Sequence, residues 1–96
     1  MTNQPFDHLP GSLRVLVSPE AGRLRFLPPR RFSGGREMVE AGQPVARITQ
    51  GSREVLVTAP VAGAVASVMG IEGEPVVPGQ PVLAIDPATG AGSEAS

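Results

Sequence analysis

The chain has no cysteine, no tryptophan and no tyrosine, and its eight basic residues are all arginine, so lysine is absent from all 96 positions. Without cysteine there is neither a disulfide framework nor a thiolate-ligated metal site. Three phenylalanines are the only aromatic residues, too few for the stacking platforms on which single-stranded nucleic-acid binders lay their bases. With a net charge of −1 as well, nucleic acid is not an expected partner. No apolar run approaches the roughly 18 residues that cross a bilayer, so no membrane segment is expected. The first residues, Met1-Thr2-Asn3-Gln4-Pro5, carry neither the basic cluster nor the apolar run of a signal peptide, which makes a cytoplasmic location the expectation.

What is present points to short strands. Twelve glycines and eleven prolines are spread at turn-like intervals rather than massed, as in chains that reverse direction often. Between them apolar residues alternate with others: Val15 and Val17, Leu24 and Phe26, Val55 and Val57. That period of two belongs to half-buried strands. No helical spacing persists over three turns without glycine or proline intruding, so helix content near zero is expected. Residues 1–11 and 87–96 lack periodicity and read as tails flanking one domain over 12–86. The only histidine, His8, lies in the first tail, where it has no partner for catalysis or metal binding.

The domain repeats itself. Pro19-Glu20-Ala21-Gly22 is matched by Pro60-Val61-Ala62-Gly63, with the two prolines 41 positions apart. Val39-Glu40-Ala41-Gly42-Gln43-Pro44-Val45-Ala46-Arg47-Ile48 is matched by Val76-Val77-Pro78-Gly79-Gln80-Pro81-Val82-Leu83-Ala84-Ile85, with the glycines 37 positions apart. The first copy is thus longer between its landmarks, by four residues. Two copies do not make a solenoid; a pseudo-two-fold domain of interlocked halves fits better. Gly22 and Gly63 are expected to take positive φ at turns, and Pro44 and Pro81 to open strands. The expected core comprises Val15, Val17, Leu24, Phe26, Val39, Ile48, Val55, Val57, Val65, Val76 and Ile85. Val45 and Ile48, like Val82 and Ile85, can share a face only if a bulge separates them.

These landmarks, taken in order from residue 13 to residue 86, resemble the biotinyl/lipoyl attachment domain. The resemblance implies an all-β fold, a flattened eight-stranded barrel-sandwich hybrid of two four-stranded sheets with pseudo-two-fold symmetry. Gly35-Arg36-Glu37-Met38-Val39 has one residue more than the family's G-x-x-V, and a bulge or looser loop is expected there. In that family the cofactor is carried on a lysine at the tip of the hairpin joining the halves. Twelve positions separate Ile48 from Pro60, and the resemblance puts Gly51-Ser52-Arg53 at that tip, with Ser52 at the acceptor position. A hydroxyl cannot form the amide, and no lysine elsewhere can replace it.

Ser52 has two other readings, and neither is favoured. Phosphopantetheine carriers are helical bundles, whereas Gly-Ser here is ordinary turn chemistry. A catalytic serine needs a positioned base, and none is available. Glu72 and Glu74 flank a glycine and read as solvated turn acids. The remaining signal is charge. Residues 14–36 hold six arginines against one acid, while residues 37–96 hold two arginines against seven acids. Arg23, Arg25, Arg30 and Arg31, with Leu27 and Phe32 as apolar anchors, are therefore candidates for docking a protein partner with an acidic surface. The competing reading is a solvated edge that deters aggregation. The chain is thus expected to be a non-acylated, non-enzymatic module without cofactor or metal, acting as an interaction, accessory or structural subunit. The alternative is a degenerate or mutated carrier subunit of a biotin-dependent carboxylase or a 2-oxo-acid dehydrogenase complex.

Overall fold

Alternating residues between glycine- and proline-bearing turns become strands along the whole domain. The computed structural model describes residues 12–87, and within them nine strands and no helix form. In chain order they are β1 (Arg14–Val17), β2 (Gly22–Phe26), β3 (Arg31–Ser33), β4 (Arg36–Val39), β5 (Pro44–Gln50), β6 (Arg53–Thr58), β7 (Gly63–Val68), β8 (Pro75–Val76) and β9 (Pro81–Pro87). A five-stranded sheet runs β1-β9-β7-β4-β3 and a four-stranded sheet β6-β5-β2-β8, with every pairing antiparallel. This is the expected all-β, two-sheet architecture. The strand beyond eight is β3, which occupies the extra residues of the first half. The tails and His8 lie outside the described residues, apart from Pro87, which continues β9 opposite Gly63.

Each sheet takes strands from both halves, so neither half has a core of its own. The two-fold is visible in individual hydrogen bonds. Gly42 N–H donates to Ala59 and Ala59 N–H to Gln43, while Gly79 N–H donates to Ser18 and Ser18 N–H to Gln80, all at 2.7–2.8 Å. The repeated glutamine has a structural reason. Gln43 Oε1 accepts the Glu40 N–H at 3.0 Å and Gln80 Oε1 accepts the Val77 N–H at 3.1 Å, each closing its turn through a side chain.

The bulges sit where the apolar spacing requires them. Pro44 pairs with Thr58 and Ala46 with Val57, leaving Val45 as the extra residue. Pro81 pairs with Val17 and Leu83 with Leu16, leaving Val82 extra in the same way. Val45, Ala46 and Ile48 are all buried as a result, as are Val82, Leu83 and Ile85. Between the sheets they meet Leu16, Leu24, Val39, Val57, Ala59 and Val76, with Phe26 and Val65 packed partly against them. Burying each large apolar side chain contributes about 1.5–3 kcal/mol.

Three expectations need correction. Val15 and Val17 are exposed, with Leu16 pointing inward instead, and Val55 is only half-buried and stands outside the core cluster, which takes Val57 from β6; Val15, Leu16 and Val17 are all apolar, so alternation alone cannot choose the face. Gly63 does not take positive φ. It is glycine because an added Cβ would stand 2.1 Å from the Asp86 carbonyl oxygen, as one on Gly22 would stand 2.6 Å from that of Thr49. The segment after Gly35 contains no bulge. Gly34 and Gly35, at φ of 62° and 81°, form a two-residue turn between β3 and β4, with Ser33 paired to Arg36. Two positive φ values in succession are the signature of a type I′ hairpin.

Candidate functional site

The first candidate is the hairpin between β5 and β6. Gln50 pairs with Arg53, leaving Gly51 and Ser52 as the whole loop. Gly51 has φ of 60° and Ser52 does not have positive φ, as a type II′ turn requires. Ser52 is thus an exposed residue at the tip of a tight hairpin. Its base is tied to the β1–β2 turn from both strands: Gln50 Nε2 donates to the Ala21 carbonyl, and Arg53 pairs with Glu20 at 3.1 Å. Among the described residues no group of three or more His, Cys, Asp or Glu converges on a common point.

The second candidate is the arginine-rich first half, which the tertiary structure divides. Arg23 and Arg25 lie on β2 in the four-stranded sheet, whereas Arg31 and Phe32 lie on β3 at the edge of the other. Arg30 immediately precedes β3. Leu27 is half-buried and anchored by its N–H to the Val45 carbonyl at 3.0 Å. Arg25 is cross-strand from Arg47, a neighbour the sequence reading did not single out because it lies in the acidic half of the chain. Their like charges are offset locally, since Arg25 pairs with Glu72 at 2.9 Å and Arg47 with Glu54 at 3.2 Å. Glu72 is therefore more than a solvated turn acid. Its other oxygen accepts the Phe26 N–H at 2.7 Å, and Arg23 donates to the Gly73 carbonyl, so the Ile71–Glu74 turn is held against β2.

The charge separation seen along the chain is largely erased in space. Arg25–Glu72, Arg31–Glu40, Arg36–Asp86 and Arg53–Glu20 each join the basic segment to the acidic remainder. These pairs are exposed and individually worth about 0–1 kcal/mol. Of the four candidate arginines, Arg30 alone makes neither an ion pair nor a side-chain hydrogen bond among the described residues. It faces an open cavity of about 490 Å³ with Arg31, Met38, Glu40, Ala41, Gly42, Gln43 and Pro44. Met38 and the cavity are the parts of this surface that only the β3–β4 pairing reveals, because Met38 stands opposite Arg31.

No family model and no curated protein matches the chain. Among solved structures it is similar to a single-chain, multi-domain long-chain acyl-CoA carboxylase, with a TM-score of 0.68 and 21% identity. The match covers 91% of this chain and 8% of that one, so the chain spans a small fraction of that protein's length. At this identity the likeness is one of fold. No helix among the described residues is long and apolar enough to cross a membrane.

Proposed function

We propose that this chain is a carrier-type β domain that carries nothing: a non-acylated lipoyl/biotinyl-like module that works by binding another protein rather than by catalysis. The observation that carries the reading is the hairpin tip, Gly51-Ser52, in a chain without a single lysine. Attachment of biotin or lipoate through an amide needs a primary amine, and arginine does not supply one. Exposed Arg30, without an ion pair among the described residues, and Arg31 beside it at the open cavity support a partner with an acidic surface, to which complementary charge would speed association. A carrier subunit of a biotin-dependent carboxylase is the second reading, favoured by the structural neighbour's being an acyl-CoA carboxylase. It requires this sequence to be a degenerate carrier.

Intact mass tests the absence of acylation, on which the proposal rests. The protein is co-expressed with a biotin ligase and, separately, with a lipoate ligase. An unchanged mass is expected, and an increment matching either group would overturn the proposal. Acylation of Ser52→Lys would, in turn, establish that this tip occupies the family's acceptor register.

A further inference from the structure

The internal two-fold has one departure, and it lies on the surface. β3 and the Gly34-Gly35 turn have no counterpart in the second half, where the chain runs from β7 through the Ile71–Glu74 turn directly to β8. The core does not need them, for all three residues of β3 are exposed. Yet β3 holds Phe32, 61% exposed, and Arg31, which with Arg30 just before it lies beside the open cavity. An edge strand left unpaired is a template for another strand. Ser33 pairs with Arg36 across the tight turn and Arg31 with Met38. By ladder alternation, the N–H and C=O of Phe32, between those pairs, are aimed away from β4.

Resting on the docking role above, we propose that the β3 edge binds an extended segment of another protein in which acidic and apolar residues alternate. Side chains of an added strand alternate between the two faces of the sheet. On one face Arg31 and Met38 border the cavity, where Arg30 is available for a carboxylate and Arg31 can exchange its exposed pairing with Glu40, at 3.2 Å. On the other face an apolar residue would cover Phe32. Backbone hydrogen bonds at Phe32 set the register, and the two faces set the sequence pattern. Arg23 and Arg25, already engaged by the Ile71–Glu74 turn, take no part.

The test is selection followed by mapping. A random peptide library displayed on phage is panned against the full chain, and a synthetic consensus peptide is titrated into the protein and its variants. Enriched peptides are expected to alternate acidic and apolar residues and to perturb the backbone amide resonances of residues 30–33. Arg30→Glu/Arg31→Glu and Phe32→Ser should each weaken binding about tenfold or more, the scale of a lost charged contact or buried aromatic. All three substitutions are at exposed positions, and amide mapping on the wild type needs no variant at all. Acidic peptides that instead lose affinity on Arg23→Glu/Arg25→Glu would overturn the β3 site while leaving an acidic partner in place. Failure to enrich acidic peptides would overturn both readings.

Discussion

The two halves share a backbone plan and differ in what they present to water. Around the Glu40–Gln43 turn, the outward positions are Thr58, Glu40 and the Pro28-Pro29-Arg30 segment leading to β3. At the equivalent places around the Val77–Gln80 turn stand Val17, Val77 and the Met69-Gly70 segment leading to Ile71. Val77 is 60% exposed and Ile71 is 66% exposed. The hydrogen bonds that close the turns are the same at both ends. Buried positions and turn-closing groups are what the fold demands twice over. Outward positions are free to diverge, and they have become charged at one end and apolar at the other.

The largest break between the halves is expected in the core. Leu24 on β2 corresponds to Val65 on β7, but Leu24 is fully buried and Val65 only partly so. Leu24→Ala should therefore cost about 2–5 kcal/mol, with Val65→Ala nearer the bottom of that range or below it. Urea denaturation of the two variants measures the difference; equal losses would mean that the halves contribute alike.

The paired glycines test the symmetry itself. Alanine at Gly63 would press on backbone atoms of Asp86 and Pro87, and alanine at Gly22 on the Thr49 carbonyl and the Ile48 side chain. Both should destabilise by about 1–3 kcal/mol, the usual cost of overpacking. Gly63→Ala should be the worse, because everything it meets is backbone. An unchanged denaturation midpoint for either variant would refute the close approach of strands at that point.

The smallest effect belongs to the hairpin that only one half has. Glu37, opposite Phe32, is partly buried, and loss of solvation raises its carboxyl above the usual 4.5. The native state then holds this proton at pH values where the unfolded chain has lost it. Its contribution to stability is complete below 4.5 and is lost as pH rises through the raised value. Glu37→Gln should remove that part of the decline, so the variant gains on the wild type as pH rises across the mildly acidic range. A stability difference between the two that stays constant with pH would show that Glu37 titrates normally.

Much of the fold was legible in the residues because the chain states its plan twice. The repeated turns, the two bulges and the absence of helix all follow from local spacing and backbone sterics. The inward face of β1 is legible on the same grounds. Val17 corresponds to Thr58 and Leu16 to Val57, and a threonine in the second copy marks the outward face of the first. The absence of lysine, which carries the functional reading, is a property of composition alone. The tertiary structure decided the rest, since it depends on which distant segments become neighbours. It alone set Arg25 beside Arg47, brought Glu72 and Asp86 of the second half to Arg25 and Arg36 of the first, and joined Glu20 of the first to Arg53 of the second. It also turned three residues of the longer first half, Arg31–Ser33, into an edge strand with Met38 and a cavity beside it. Turn chemistry and apolar period act within a few residues and can be read along the chain, whereas ion pairs, glycine contacts and docking edges are made across strands whose pairing no single segment specifies.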